Sequence, residues 1–227
     1  MVYSRRFVCL AASRKNLGLC VAGKELPDDR LGDWIRPVSA LPKGELHPEH
    51  CRCADGGSPV LLDIFEVPFD RPNPQGYQVE NHLVDDSIPW QRVGPFSVGR
   101  VAELRDHPGE LWLNEDSSGN GLNDRVVEAV ANAQIRSSLV LIQPEDLRIE
   151  VRREYENRKK VRASFSYEGV RYRLKVTDPV VEKTRLAGPE GDYRVGDGTA
   201  SLCISLGEPF RGYCYKLVAA VIPHEGD

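Results

Sequence analysis

The stretch VRASFSYEGVRYRLKV, residues 161–176, decides the fold of the second half of the chain. Valine, alanine, phenylalanine and tyrosine occupy every second position of 161–167, and valine, tyrosine and leucine do the same in 170–176. Glu168-Gly169 between the two runs is typical of a tight turn. This period of two predicts a β-hairpin with one apolar face for a core and one polar face for solvent.

Further strands are predicted on both sides of this hairpin. A helix is not required there, because the apolar residues alternate or form short runs bounded by turn residues. About five strands in this part of the chain match the inventory of a small closed barrel such as an OB-fold. The flanking segments are SSLVLI (137–142), LRIEVRREY (147–155), a loop at 187–198, SLCISL (201–206) and YCYKLVAAVI (213–222).

The first half has a similar inventory. Three short strands joined by tight connections predict a β-meander, and a long apolar strand follows them. Two stretches carry helix signals, the second with asparagine as a candidate N-cap. The strands are FVCLAAS (7–13), LCVAGKEL (19–26), WIRPVS (34–39) and SPVLLDIFEVPF (58–69), and the helices are SVGRVAELRDH (97–107) and NDRVVEAVANAQI (123–135).

The sequence therefore predicts an all-β protein with minor helix, built as two tandem OB-fold-like five-stranded barrels. We expect an N-terminal barrel with long loops at 1–121, a connecting helix at 122–136 and a C-terminal barrel at 137–227.

Composition narrows the class of protein. The 227 residues carry a net charge of −4, so a uniformly basic coat for nucleic acid is excluded, although a local basic groove is not. Six cysteines occur without a signal peptide, which favours free thiols in a reducing cytoplasm. No apolar window approaches the length of a membrane span.

Charge is distributed unevenly along the chain. Segment 148–175 contains ten lysines and arginines against four glutamates, a net charge of +6, which leaves −10 for the remainder. Such asymmetry points to a polyanion as partner. Strand alternation places these candidate ligand-binding cations on the outer face of the hairpin: Arg162, Arg171, Arg173 and Lys175.

An alternative interpretation of this hairpin stays open. Charges on an outer strand also block unwanted edge pairing between sheets. The hairpin has no outward aromatic residues, which single-strand binding surfaces normally use for stacking.

The first half offers a second set of candidates. Arg14 and Lys15 lie in the connection ASRKNLG between two predicted strands, and Trp34 and Arg36 share one face of WIRPVS. We expect Arg36, Arg14 and Lys15 to line a ligand-facing surface with Trp34 packed beside it. Trp34 is equally compatible with a place in the core or at its rim.

Metal and catalytic signals are weak. The ligand types in HPEHCRC (47–53) have a spacing unlike the common zinc patterns, and no second cysteine pair follows, so we expect no metal. His82, Asn123 and Asp124 form a candidate polar site, but no nucleophile with a matched base is evident. Without a P-loop or dinucleotide fingerprint, no cofactor and no catalytic residue are predicted.

The motif set of the whole chain resembles the bacterial dual OB-containing domain family. The resemblance rests on FVCLAASRKNLGLCVAGKEL, GDWIRPVS, LLDIFEVP, ENHLVDD, NGLNDRV, YRLKVTDPVVE and LCISLGEPFRGYCYKLVAAVI. The resemblance implies two OB-folds in tandem, binding of nucleic acid or nucleotides, and a role in bacterial defence systems. HPEHCRC departs from that pattern.

Three functions remain as alternatives. The first is a non-enzymatic module that binds single-stranded or modified nucleic acid, or a nucleotide ligand. The second is a protein–protein adaptor whose basic hairpin meets an acidic partner. The third is a nucleotide-modifying enzyme with its site near His82 and Asp124.

Overall fold

The computed structural model describes residues 2–15, 17–27, 30–195 and 199–224. The described contacts divide the chain into two compact units, Met1–Arg100 and Val101–Asp227. The strands of the first unit are β1 (Tyr3–Lys15), β2 (Gly18–Glu25), β3 (Trp34–Val38), β4 (Asp63–Pro72), β5 (Asn81–Val84) and β6 (Gln91–Pro95), with a 3₁₀ helix at Pro48–Cys51. A second 3₁₀ helix, Val98–Leu104, spans the boundary between the two units.

The first unit is a closed five-stranded barrel. Its strands follow the order β1-β2-β3-β5-β4, β4 pairs back onto β1, and β6 extends the sheet beside β4. β3 and β5 are parallel, whereas the other pairs are antiparallel. Close strand contact requires glycine at Gly23, because a Cβ there would lie 1.9 Å from the Val8 carbonyl oxygen.

An aromatic cluster fills this barrel. Phe7, Phe65 and Trp90 are almost fully buried, and the Trp90 ring meets both phenylalanines edge-on at centroid distances of 6.3 and 6.0 Å. Such edge-to-face pairs add about 0.5–1.5 kcal/mol beyond the area that they bury. The core of the first barrel thus combines Phe7 of β1 and Phe65 of β4 with Trp90, which directly precedes β6.

The second unit contains a longer sheet with the same barrel order. All strands predicted for 137–222 are present, with a short strand, an α-helix and a 3₁₀ helix added among them, and a further strand and helix precede them. The elements are β7 (Arg125–Val127), α1 (Glu128–Gln134), β8 (Leu139–Ile142), β9 (Glu145–Arg153), β10 (Lys159–Tyr167), β11 (Val170–Val176), α2 (Pro179–Ala187), β12 (Gly191–Arg194), β13 (Ala200–Phe210) and β14 (Tyr213–Pro223), with a 3₁₀ helix at Tyr155–Asn157.

The second sheet runs in the order β12-β9-β10-β11-β14-β13-β8, with β11 and β14 parallel. Only Gln143 and Pro144 separate β8 from β9 along the chain. The strand order that starts at β9 ends at β8, so β8 and β9 together form the first strand of a five-stranded barrel. Proline lacks the N–H that a continuous ladder needs, which explains the interruption. The fold class predicted from the sequence, two OB-fold-like barrels, is confirmed.

The boundary between the units precedes the one placed at residue 121. Leu111 belongs to the second core, and Val126 and Val127 pair with β14 as strand β7. The helix expected at 123–135 is therefore shorter, because two β-branched valines extend along the edge of β14 before α1 begins.

Besides β7, two further elements of the second unit were not predicted. The loop expected at 187–198 contains β12, which pairs with β9, and its residues 196–198 lie outside the described part of the chain. Helix α2 begins at Pro179 after Asp178, whose Oδ1 accepts from the amides of Val180 and Val181 at 2.9 and 3.1 Å. An aspartate N-cap followed by proline at the first helical position is a recognised start signal.

Replacing Asp178 by alanine should lower the free energy of unfolding by about 2 kcal/mol. The buried carboxylate caps α2 with one oxygen and accepts from the Val221 amide at 3.1 Å with the other, so the variant loses three hydrogen bonds. Urea denaturation measures the change. Lys183→Ala, an exposed change on the same helix, should stay within about 0.5 kcal/mol of the parent protein. Equal stability of the two variants would contradict this role of Asp178.

Candidate functional site

The outer face of the second barrel is built by strands β9, β10 and β11. Register aligns Arg162 with Lys175 and Ser164 with Arg173, so these side chains share one face. Tyr172 and Leu174, which alternate with them, are buried in the core. Arg171 and Lys175 are exposed to solvent.

Arg162 does not belong to the exposed face, and its expected ligand-facing role is wrong. Its side chain is 10% exposed and donates to both oxygens of Glu154, at 2.5 and 2.9 Å. The Asp124 carboxylate lies 4.0 Å away. A bidentate arginine–carboxylate pair of this kind fixes the guanidinium within the protein.

Arg173 is half-exposed but its charge is compensated. Its Nε donates to Glu150 Oε2 at 2.7 Å, and one terminal nitrogen donates to the Asn120 carbonyl. Ser164 also donates to Glu150. Burial acts to raise the pKa of Glu150, but the hydrogen bonds from Ser164 and Arg173 and the nearby positive charges outweigh it and lower that pKa. Arg173 therefore organises the face more than it adds free charge.

The ten cations of 148–175 fall into two groups. Five form ion pairs with carboxylates: Arg152, Arg153, Arg158, Arg162 and Arg173. The others make no ion pair with any carboxylate of the described residues: Arg148, Lys159, Lys160, Arg171 and Lys175. Pairing thus reduces the free positive charge that composition alone indicates.

Two exposed aromatic residues lie in the connections that frame this face. Tyr155 is 79% exposed in the β9–β10 connection, and Phe210 is 59% exposed where β13 turns into β14. These connections correspond to the loops between strands 1 and 2 and strands 4 and 5 of an OB-fold. The sequence analysis overlooked them because it sought aromatics on the strands, although an aromatic within a charged turn is a usable signal.

In the first barrel, Arg36 is buried and its expected ligand-facing role is wrong. Its side chain is 3% exposed, one guanidinium nitrogen lies 3.1 Å from Glu80 Oε1, and another donates to Asn81 Oδ1 at 3.3 Å. Glu80 directly precedes β5, the parallel neighbour of β3, so the pair connects two adjacent strands.

The other first-barrel candidates lie at different ends of β2. Arg14 pairs in register with Leu19, whereas Trp34 pairs with Lys24. Five residues of strand separate these positions by about 17 Å. A three-stranded meander reverses direction at each turn, so the start of β3 lies opposite the β1–β2 turn. Arg14 is exposed and Lys15 half-buried, while Trp34 packs under the buried Lys24 with its ring centroid 5.4 Å from Nζ.

His82 is part of an aromatic group in the first unit. Its Nδ1 contacts the Tyr3 hydroxyl, and its ring centroid lies 5.4 Å from that of Phe69. Burial, followed by the charge of Arg5, lowers the pKa of His82. These contacts describe a packed, neutral imidazole.

Asn123 and Asp124 belong to the second unit and organise the loop that precedes β7. The buried Asp124 carboxylate accepts from the amide and hydroxyl of Ser118 at 2.7 and 2.6 Å. Asn123 donates to the Arg171 carbonyl at 3.1 Å. A Cβ at Gly121 would lie 1.8 Å from an Asp124 oxygen, so only glycine fits there.

The cysteines of HPEHCRC pack into the core of the first barrel. Cys51 and Cys53 are 4% and 2% exposed, and Cys51 donates to the His47 carbonyl at 3.4 Å. Burial raises the pKa of Cys51 to about 11, which disfavours the thiolate that a metal requires. Within the described ranges, no three His, Cys, Asp or Glu side chains group as metal ligands. All six cysteines are free.

A cavity of about 490 Å³ lies beside α1 in the second unit. Glu110, Glu115 and Asp116 line it, and Arg125, the one lining arginine in the described part of the chain, pairs with Asp116 at 2.8 Å. An acidic cavity whose arginine already pairs with a carboxylate repels a polyanion. The cavity therefore does not compete with the β9–β11 face as a nucleic-acid site.

A buried lysine lies next to this cavity. Lys216 is 1% exposed, and its ammonium donates to the Leu113 carbonyl at 2.7 Å and to Asn114 Oδ1 at 3.0 Å. Burial lowers the pKa of Lys216 to about 8, although Glu110 and Asp124 act in the opposite direction. Both hydrogen-bond acceptors are neutral, so the ammonium is only partly compensated for lost water.

A serine–histidine contact in the same unit lacks access to substrate. Ser201 Oγ lies 2.9 Å from His224 Nε2, and Arg105 donates to Ser201 at 3.3 Å. Ser201 is 0% exposed, so its hydroxyl is not positioned to attack a bound molecule. Burial and then the charge of Arg105 lower the pKa of His224.

The barrel order and the outer face define an OB-fold module. Residues 5–221 match the family described as Dual OB-containing domain, and the chain belongs to that family. No curated protein and no solved structure matches the chain. None of the helices in the described part of the chain combines the length and apolar character needed to cross a membrane.

Replacing Arg162 by alanine should lower the free energy of unfolding by about 3 kcal/mol, because the buried Glu154 carboxylate loses its bidentate partner and keeps the more distant Arg173, at 3.8 Å. Arg171→Ala removes an exposed cation without an ion pair and should change it by less than about 0.5 kcal/mol. Guanidinium denaturation of both variants checks the contrast. Adding Glu154→Ala to Arg162→Ala should recover part of the loss, and a harmless Arg162→Ala would show that the pair is not buried in solution.

Lys216→Met should change the pH dependence of stability. The folded pKa of Lys216 lies below the unfolded value of about 10.4, so between pH 8 and that value the unfolded state binds more protons and this group makes stability rise with pH. The advantage of parent over variant in free energy of unfolding should therefore grow from pH 8 to pH 10. Urea denaturation measures this difference in free energy of unfolding at each pH. A difference that stays constant from pH 8 to pH 10 would show that the Lys216 ammonium is exposed to water.

Proposed function

We propose that the second barrel binds single-stranded nucleic acid, without catalysis, on the outer face of β9, β10 and β11. The observation that carries this proposal is the combination of exposed cations on the strands with exposed aromatics in the two framing connections. OB-folds bind oligonucleotides with these strands and loops. Cations attract the phosphate backbone, and aromatic rings stack on bases of any sequence.

Two exposed cations on strand β11 are available to bind the phosphates of a nucleic acid. Arg171 and Lys175 lie on the same face of β11, four residues apart, and remain available because Glu150 and Glu154 pair with Arg173 and Arg162. Free guanidinium and ammonium groups attract phosphates non-specifically. We therefore expect weak sequence preference and strong dependence on salt.

In the first barrel, the cations on strands β2 and β3 are buried. The cations on its β2 and β3 strands, Lys24 and Arg36, are 5% and 2% exposed. On β1 the exposed Arg5 and Arg6 lie 3.8 and 3.3 Å from the carboxylates of Glu25 and Glu66, so their charges are compensated. We assign nucleic-acid binding to the second unit, while Arg14 at the end of β1 stays a candidate for an auxiliary contact.

Arg171→Ala combined with Lys175→Ala should reduce the salt dependence of oligonucleotide binding. Each lost phosphate contact lowers the slope of log affinity against log salt by about 0.7 for a single strand, so the double variant should lose about 1.4. Fluorescence anisotropy with a labelled ten-nucleotide thymidine strand measures this. Lys183→Ala removes one exposed cation from α2 and should leave the slope unchanged.

Tyr155→Ala and Phe210→Ala should each weaken the same binding by about 1–3 kcal/mol, because each removes one stacking partner for a base. Tyr155→Phe should retain affinity, since the ring and not the hydroxyl is required. Absence of oligonucleotide affinity at low salt, with an acidic protein bound through Arg171 and Lys175 instead, would refute the proposal and support an adaptor.

A further inference from the structure

Strand β12 extends the second sheet beyond the five strand positions of its barrel. It pairs antiparallel with β9, and the register places Arg194 directly opposite Arg148. Side chains at directly opposed positions of a ladder point to the same face. Both arginines are exposed.

Two like charges at opposed positions destabilise a sheet unless something compensates them. No carboxylate of the described residues forms an ion pair with Arg148 or Arg194. Of the acidic residues two positions away on these strands, Asp192 pairs with Arg152 and Glu150 with Arg173, whereas Asp146 lies beside the two arginines without an ion pair to either. The edge of the sheet thus keeps an uncompensated pair of guanidinium groups.

The pair lines a concave site. A cavity of about 190 Å³ is bordered by Asp146, Leu147, Arg148 and Arg194. Since a water molecule takes about 30 Å³ in the liquid, the cavity has room for a tetrahedral oxyanion. Among the described lining residues, two guanidiniums and one carboxylate leave a net positive charge there.

We propose that Arg148 and Arg194 form a phosphate-binding subsite at the β9–β12 edge. The inference rests on the proposed function in one respect, because the phosphate is taken to belong to the bound nucleic-acid strand. Planar guanidinium groups match the oxygens of a phosphate and donate in pairs. A phosphate between them replaces their mutual repulsion by two attractions.

The register also gives the direction of the strand. Arg194, Arg148, Ser164 and Arg173 occupy one row across β12, β9, β10 and β11. Neighbouring strands are about 4.8 Å apart, so this row spans the face perpendicular to the strands. The nucleic acid would cross from β11 to the β12 edge, where the subsite holds a phosphate.

Thermal unfolding with inorganic phosphate, compared with sodium chloride at equal ionic strength, tests the subsite without nucleic acid. Phosphate should raise the melting temperature of the parent protein and of the Lys183→Ala control. The Arg148→Ala/Arg194→Ala double variant should fold normally, because both side chains are exposed, and should lose this stabilisation. Asp146→Asn, which removes the one carboxylate that lines the cavity among the described residues, should enhance it. Equal stabilisation of the parent and the double variant would overturn the subsite.

Binding of a ten-nucleotide thymidine strand separates the subsite from the proposed function. We expect the double variant to bind at least about tenfold more weakly, with Lys183→Ala unchanged. Oligonucleotide binding that survives intact in the double variant would overturn the subsite and leave the proposed function standing. Stabilisation by phosphate that requires both arginines, without affinity for the oligonucleotide, would support the subsite and overturn the proposed function.

Discussion

The alternation of side chains around a small closed barrel is the constraint on which the structure depends. Every second residue of each strand must enter one narrow core, so its neighbours are driven to the outer face. In β11 this rule places Tyr172 and Leu174 inside and leaves Arg171, Arg173 and Lys175 outside. The concentration of positive charge on one face is thus a consequence of packing, and the protein must then compensate or use it.

The protein does both. Glu154 and Glu150 pair with Arg162 and Arg173 at short distances and fix these side chains, whereas Arg171, Lys175 and the opposed arginines at the β12 edge have no carboxylate partner among the residues that the structure describes. A buried carboxylate beside an arginine fixes structure, while an exposed arginine without one is available to an anion. The same distinction removes Arg36 of the first barrel from the candidate surface, since Glu80 already occupies its guanidinium.

The sequence predicts the part of this arrangement that is local. Period-two apolar patterns locate nearly all barrel strands, and the two-barrel class follows from their number. Pairing is long-range: nothing near Arg36 in the chain indicates that Glu80 will lie beside it, because their contact depends on the parallel register of β3 and β5. Likewise, Val126 and Val127 fit a helical spacing and become a strand only because the edge of β14 is open to them. Helix α2 was predictable from Asp178-Pro179, as were Tyr155 and Phe210 from their position in turns.

The central claim is that the second barrel binds single-stranded nucleic acid on the outer face of β9, β10 and β11. This face carries exposed cations, and the connections beside it carry exposed aromatic residues. Backbone amide NMR of the full chain, titrated with an unlabelled ten-nucleotide thymidine strand, tests it most directly. The account predicts shifts concentrated in β9–β12 and in the connections that contain Tyr155 and Phe210, with the signals of β2 and β3 unchanged. Shifts confined to the first barrel or to the acidic cavity beside α1, or a spectrum unaffected at low salt, would contradict it.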